Sequence, residues 1–466
     1  MSKKRLAIIG NGMAASRLLD ELLRRGATGT FDVSVFGEEP RAAYNRILLG
    51  RVLSGGAPDE IALKTSDWYA ERGINFASGS RVTGVDPVAR RLTTANGDPH
   101  PYDVCVFATG SAPRVPDVMG IRTAGVHVFR TIDDCVAIRE RAKPGSSAVV
   151  VGGGLLGLEA AKALCDLGLH VTVLHLDPVL MNAQLDKFGG ELLRRAIEQM
   201  GIFVRTGTTA DEVLGTDRVE AVRLRGGEVI PADLVVFACG IVPRTEVAKA
   251  SGVPVGRGIR VNDLLATAVP GVFAVGECAE HNGRVYGLVQ PIWEQCAVLA
   301  DVLTGSNPRA RYRGSKMYAR LKVAGVEVAS FGLPDAQFPT DEVVQVFEDR
   351  RGVYRKLIVR DGKLAGAQLI GCAEAAPALI QMFDRDDPLP ANRLDVLATG
   401  NAGSTAAERE VCNCNHVSES AIVDAIRDGC DTLPELCAAT RAGTGCGSCR
   451  GQLSALLAAR AAPAAV

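Results

Sequence analysis

Apolar residues in this chain gather into short continuous runs more often than they alternate. Arg5-Leu-Ala-Ile-Ile9, Asp32-Val-Ser-Val-Phe36, Val104-Cys-Val-Phe107, Val149-Val-Val151, His170-Val-Thr-Val-Leu174, Leu234-Val-Val-Phe237 and Val272-Phe-Ala-Val275 are runs of this kind. Runs of Val, Ile and Ala bounded by turn residues predict strands of a parallel sheet, buried on both faces. Amphipathic stretches lie between them. Leu18, Leu19, Leu22 and Leu23 fall on one face of a predicted helix. From about residue 306 to 400 the texture changes: Leu321–Val328, Val343–Phe347, Tyr354–Val359 and Leu364–Ile370 read as strands, and Asp361-Gly362 is a hairpin turn signal. Thr399–Ala407 is small and polar and reads as a linker. A Cys-rich module follows it, and the Ala-rich end at Ala461–Ala465 is expected to fray.

Two long-range echoes divide the first 305 residues. Leu6-Ala-Ile-Ile-Gly-Asn-Gly-Met-Ala-Ala15 resembles Val149-Val-Val-Gly-Gly-Gly-Leu-Leu-Gly157, and Val104–Gly110 resembles Leu234–Gly240. Each half opens with strand, glycine turn and helix, and closes with a strand ending in Ala-x-Gly. The pattern predicts one nucleotide-binding domain inserted into another of the same type.

Gly10-Asn-Gly12-Met-Ala-Ala15 is a G-x-G-x-x-A turn. Gly10 permits the tight bend, Gly12 lets backbone amides approach a pyrophosphate, and the small Ala15 lets helix and strand pack closely. The phosphate then sits on the positive end of the helix. The next strand ends at Gly37-Glu38, which places the Glu38 carboxylate to bond an adenosine ribose. The strand end Ala108-Thr109-Gly110 supports the same reading.

The second turn, Gly152-Gly-Gly154-Leu-Leu-Gly157, is a full G-x-G-x-x-G. Its following strand ends at His175 instead of an acid, and no Arg or Lys lies between His175 and Ala183. A 2′-phosphate normally needs such a cation, so the gap favours NADH over NADPH. His175 could bond the ribose or be a plain exposed strand end. Two turns imply two nucleotides, and FAD in the first with a nicotinamide in the second is the common pairing.

Cys412-Asn-Cys414 and Cys446-Gly-Ser-Cys449 are separated by 31 residues. Four thiolates in this pattern can hold a 2Fe–2S cluster or a structural zinc. A flavin takes two electrons as hydride and can release them singly. A one-electron carrier beside it makes chemical sense and favours iron–sulfur. Between the pairs, Ile422 and Ile426 share a helical face, and Thr432-Leu-Pro-Glu435 is a capping box opening a second helix. A third helix is expected from Gln452 to Arg460.

Composition changes this picture little. The chain has 466 residues, is 47% hydrophobic and 23% charged, and carries a net charge of −1, which argues against nucleic acid or an anionic membrane as the main partner. No signal peptide or 18-residue apolar run is evident, so a cytoplasmic protein is expected. Its 13 cysteines are then expected to be reduced, and clustered ones to be ligands. Cys105, Cys135, Cys165, Cys239, Cys278, Cys296 and Cys372 read as small packing residues. Cys430, Cys437 and His416 read as bystanders to the four ligands.

These stretches together resemble the flavin and electron-transfer portion of assimilatory NAD(P)H nitrite reductases and the electron-transfer subunits of assimilatory nitrate reductases. Ile8–Met13, Phe36–Pro40 with Tyr44-Asn-Arg46, Leu180–Asp186, Ala274–Cys278 and Gly314-Ser315 through Leu321-Lys322 carry the resemblance. The Cys module resembles bacterioferritin-associated-ferredoxin-type 2Fe–2S domains. The resemblance implies an α/β fold with two interleaved Rossmann-like, glutathione-reductase-type domains: residues 1–115 with 241–305 for FAD and 116–240 for NAD(P)H. It also implies a reductase-type C-terminal α+β domain at 306–400 and a small helical cluster domain at 408–460. It implies FAD at Gly10, Gly12, Glu38, Arg46, Thr109, Gly276 and Glu277, and a nicotinamide nucleotide at Gly152, Gly154 and Gly157 with Glu159 near the reacting ring.

The stretch Pro40–Gly56 lacks the cysteines that disulfide reductases of this fold place there, so no redox thiol is expected beside the flavin. Nitrite reductases continue into a sirohaem half, whereas 17 residues follow Cys449, so terminal reduction is expected on a separate nitrate or nitrite reductase subunit. Two other functions remain open: a free-standing ferredoxin or rubredoxin reductase, and a redox-responsive binding protein. Sustained NADH turnover with a one-electron dye separates the last from the others.

Overall fold

The computed structural model describes residues 2–323, 326–399, 409–445 and 447–461. The chain forms two compact units, each assembled from three segments. The first comprises Met1–Leu49, Gly56–Arg114 and Ile241–Ser315; the second comprises Gly50–Gly55, Val115–Gly240 and Lys316–Val466.

The first unit is built on a five-stranded parallel sheet in the order Val272–Ala274, Val104–Phe107, Lys4–Ile9, Phe31–Phe36, Asn75–Ala77. The strands are continuous apolar runs because both faces are covered. Helix Met13–Arg24 buries Leu18, Leu19 and Leu22 against one face. Its Glu21 is fully buried, and Arg17 at 2.8 Å and Arg25 at 2.6 Å supply the countercharge that burial demands. An antiparallel three-stranded sheet, Val82–Asp86, Arg91–Thr94 and Pro99–Pro101, is inserted before Val104. Ser111–Pro113 and Ile241–Pro243 pair antiparallel where the chain leaves this unit and re-enters it.

The second unit repeats the plan. Its parallel sheet runs Phe203–Thr206, His170–His175, Ser147–Val151, Leu234–Phe237, Val126–Val128, again with an antiparallel three-stranded insertion, Ala210–Leu214, Ala221–Leu224 and Val229–Pro231.

A five-stranded antiparallel sheet follows, ordered Tyr318–Val323, Val326–Gly332, Lys363–Ile370, Val353–Arg360, Glu342–Glu348. Asp361 at φ 51° and Gly362 at φ 73° form the expected hairpin turn. The single strand expected over Leu321–Val328 is instead the meeting ends of two strands, paired Val323 with Val326. Apolar residues continue on both sides of Ala324-Gly325, so the pattern hides the reversal; those two residues lie outside the described ones. Asp186 caps helix Lys187–Gln199 and accepts hydrogen bonds from Tyr354 Oη and Lys356 Nζ, both at 2.7 Å. This buried cluster ties the helix to the antiparallel sheet.

The cluster module consists of the short pair Glu410–Cys412 and Val417–Ser418 and helices Glu419–Arg427, Leu433–Thr440 and Arg450–Ala461. Ile422, Ile426, Leu436 and Leu453 form its core with Cys412, Cys414 and Cys449. Thr432 and Glu435 make the reciprocal capping box read from the sequence. Positions 400–407 of the expected linker, Cys446 and the terminal 462–465 lie outside the described residues.

Candidate functional site: two glycine turns and a cysteine nest

Gly10 has φ 106°, and a Cβ there would stand 2.3 Å from the Ala108 carbonyl oxygen. Only glycine fits, because the turn passes hard against the neighbouring strand end. A Cβ on Gly12 would meet nothing within 4 Å, so space lies over the second glycine. Gly12 is also the N-cap of helix Met13–Arg24 and supplies no side-chain cap, which leaves the first amides open to an anion. Asn11 accepts a 2.8 Å hydrogen bond from Tyr69 Oη, while its buried Nδ2 has no partner among the described residues. An open cradle and an orphaned buried donor fit a pyrophosphate-bearing nucleotide. Ala15 is fully buried in the helix–sheet interface.

The other expected residues of this turn converge on the same strand ends. Gly276 has φ 87°, and a Cβ there would come within 2.8 Å of Ala14 Cβ; its amide donates to Gln295 Oε1 at 2.8 Å. Ser111 Oγ donates to Glu277 Oε2 at 2.7 Å beside Gly110. Thr109 Oγ1 donates to the Arg244 carbonyl at 2.8 Å. Glu38, at the end of its strand, is ion-paired with Arg244 and lies 3.7 Å from Arg81. Arg46 pairs with Glu39 and lies over the Tyr44 ring, and Tyr44 Oη bonds Glu39 at 2.7 Å. Arg244, Arg81, Ser111 and Asn11 were not visible as site residues in the sequence. Arg244 is 206 positions from Glu38, and no local pattern links them.

The second turn reproduces the first. Gly152 has φ 126° and would place a Cβ 2.3 Å from the Ala238 carbonyl oxygen, while Gly154 opens onto empty space. A Cβ on Gly157 would fall 1.8 Å from the Gly152 carbonyl oxygen, so the third glycine is sterically required here. His175 behaves differently from a ribose-binding strand end. Its Nδ1 accepts from the Gly153 amide at 3.1 Å, and its Nε2 donates to the Val179 carbonyl at 3.0 Å. Both ring nitrogens are therefore occupied by backbone, and the ring holds the turn in place. Glu159 is half-buried in helix Leu155–Asp166, and loss of hydration pushes its pKa up to about 7.

In the last module, Cys412 and Cys414 Sγ atoms lie 3.7 Å apart, and Cys412, Cys414 and Cys449 are all buried. Hydrogen bonds from the Cys414 and then the Cys449 thiol, with help from the Gly443 and Asn415 backbone, hold the Cys412 pKa well below the usual thiol range. A buried set of cysteines, with Cys412 favoured as the thiolate, suits a soft metal or an iron–sulfur cluster. Among the described residues no group of three or more His, Cys, Asp or Glu side chains is set to hold a metal ion; Cys446 is not among them. His416 Nδ1 faces the Glu410 carboxylate at 3.2 Å. Cys437 is buried in the module core, and burial raises its pKa.

Residues 4–298 match the family described as pyridine nucleotide-disulphide oxidoreductase. The chain belongs to that family. It is an oxidoreductase whose cofactors are FAD, a nicotinamide nucleotide and a 2Fe–2S cluster. Residues 318–385 match the rubredoxin NAD+ reductase C-terminal domain, and residues 410–459 match the BFD-like 2Fe-2S binding domain.

Among characterised proteins, the chain is 39% identical to the NAD(P)H nitrite reductase of Bacillus subtilis over 97% of its own length and 57% of the relative. It is 36% identical to the assimilatory nitrate reductase electron transfer subunit of the same organism, over 98% of its length and 60% of the relative. The chain thus spans less than two thirds of either. The ferredoxin reductase from Rhodopseudomonas palustris superposes with a TM-score of 0.76 at 26% identity, over 83% of this chain and 96% of that one.

The family's name refers to a redox disulfide, and Pro40–Gly56 holds no cysteine to make one. Cys105, Cys278 and Cys296 are free and fully buried, and burial raises each pKa, to about 12 for Cys105. Such thiols are inert packing groups. Among the described residues no helix is long and apolar enough to cross a membrane.

Proposed function

We propose that the chain takes electrons from NADH and delivers them, through its cluster module, to a separate nitrate or nitrite reductase component in nitrate assimilation. The observation that carries this reading is the union, on one chain, of two glycine-turn nucleotide cradles with a buried cysteine nest. The two Bacillus subtilis relatives, one an electron transfer subunit and one a nitrite reductase, support the direction of flow. FAD, when bound, accepts a two-electron hydride, and the cluster passes electrons on one at a time.

On this reading the protein supplies positions and fields. Gly10, Gly12 and Ala15 hold the FAD pyrophosphate at the helix N-terminus, Glu38 bonds the ribose, and Arg46, Thr109, Gly110, Gly276 and Glu277 line the remainder. Gly152, Gly154 and Gly157 do the same for the nicotinamide nucleotide, and Glu159 stands near its reacting ring. Cys412, Cys414, Cys446 and Cys449 ligate the cluster. His175 keeps the second turn rigid through its two backbone bonds, so selection of NADH rests on the missing cation between His175 and Ala183. The same reading places the protein in the cytoplasm, where NADH is available.

Purified protein should contain flavin and iron, and should sustain NADH oxidation with a one-electron dye. A pull-down should recover a molybdenum or sirohaem protein. Zinc without iron in anaerobically prepared protein would refute the cluster assignment. Recovery and reduction of a small ferredoxin or rubredoxin alone would favour the second reading, a free-standing reductase, which the match over residues 318–385 also suits.

A further inference from the structure

The cluster module is seated on the antiparallel domain through both of its ligand loops. In the first loop Asn413, between Cys412 and Cys414, is a buried side chain whose Nδ2 donates to the Pro377 carbonyl at 3.2 Å. Pro377 lies in the first turn of helix Ala376–Arg385, which packs on the sheet strand Lys363–Ile370. In the second loop Ser448, one residue before Cys449, accepts a 3.2 Å hydrogen bond from Arg320 Nη1 of the edge strand Tyr318–Val323. A third tether ties the loops to each other: Asn415 Nδ2 donates to the Arg441 carbonyl at 2.8 Å and to Thr444 Oγ1 at 3.3 Å.

These contacts have two consequences. While the module is seated, Asn413 is buried and the Pro377 carbonyl is its hydrogen-bond partner, so the seated arrangement holds only with that bond made. A guanidinium held beside a ligand loop stabilises the more negative, reduced form of a cluster, which raises its reduction potential.

We propose that Arg320 and Asn413 are positioning residues that clamp the cluster module to the antiparallel domain, making it a fixed relay station, with Arg320 also setting the cluster potential. The proposal rests on the 2Fe–2S assignment and goes beyond it by naming the residues that seat the cluster module on the antiparallel domain.

The test uses the full-length protein with its cofactors and three variants, Arg320→Met, Arg320→Lys and Asn413→Ala. Midpoint potentials are read by titration followed by electron paramagnetic resonance. Hydrogen–deuterium exchange is read over residues 410–418 and 376–385. Arg320→Met should lower the reduction equilibrium constant by up to about tenfold, about 59 mV for a one-electron couple. Arg320→Lys should restore most of it. Asn413→Ala should speed exchange in both segments while the flavin potential stays unchanged. An unchanged cluster potential in Arg320→Met, or unchanged exchange in Asn413→Ala, overturns the clamp. A wild-type protein with no iron signal instead overturns the cluster assignment on which it rests.

Discussion

Replacing Glu159 by Gln removes a half-buried carboxyl whose pKa burial raises from 4.5 to about 7. The substitution preserves shape and removes only the titration. Between those two values the native chain keeps a proton that the unfolded chain has released. Native stability therefore falls as pH rises from the unfolded pKa through the folded one, and the penalty is complete above it. At about 1.4 kcal/mol per pH unit, the difference between the two values amounts to about 3 kcal/mol. Gln, neutral throughout, escapes the penalty. The variant should match wild type near pH 4.5 and exceed it by up to about 3 kcal/mol near pH 8. Urea unfolding across this range, without nicotinamide nucleotide, measures the gap. A gap that does not vary with pH would refute the reasoning. If the carboxyl also stands at the nicotinamide ring, the variant should lose a step near pH 7 in its kcat/KM profile for NADH.

Cys412→Ser and Cys446→Ser should each remove iron while flavin stays bound, read by metal analysis and absorbance; joint loss of flavin would show that the module is part of the flavin scaffold. Gly10→Ala should abolish FAD retention, because its Cβ would meet a carbonyl oxygen at 2.3 Å on a backbone with φ 106°. The backbone strain alone is about 1–3 kcal/mol, and flavin content after gel filtration reads the result. NADH should exceed NADPH in kcat/KM, and equal values would remove the argument from the missing cation after His175. A chain cut after Gly403 should keep FAD and dye-linked NADH oxidation but fail to deliver electrons to a protein partner. Full-rate delivery by the shortened chain would put the cluster off the path.

Local chemistry was legible in the sequence wherever one short stretch carries its own geometry. The glycine turns, the Thr432–Glu435 cap and the Asp361-Gly362 hairpin depend on residues within one turn of one another, and each stands in the structure as read. The parallel sheets were legible for a related reason: strands covered on both faces must be apolar throughout. The reversal between Val323 and Val326 was missed because apolar residues run through it on both sides. What periodicity cannot carry is the partner of a polar side chain. Glu38 reads as a ribose ligand from its place at a strand end, yet its ion pair comes from Arg244, far along the chain.

His175 shows the same limit more sharply. Position alone makes it a candidate ribose contact, because it stands where a dinucleotide fold usually carries an acid. A carboxylate there has only acceptors to offer, whereas imidazole has one donor and one acceptor when neutral. The structure uses both at once, taking the Gly153 amide and giving to the Val179 carbonyl. The ring therefore couples the glycine turn to the segment after the strand. An exchange of acid for imidazole at this strand end thus changes the residue's work, from binding a ligand to bracing the loop that binds it.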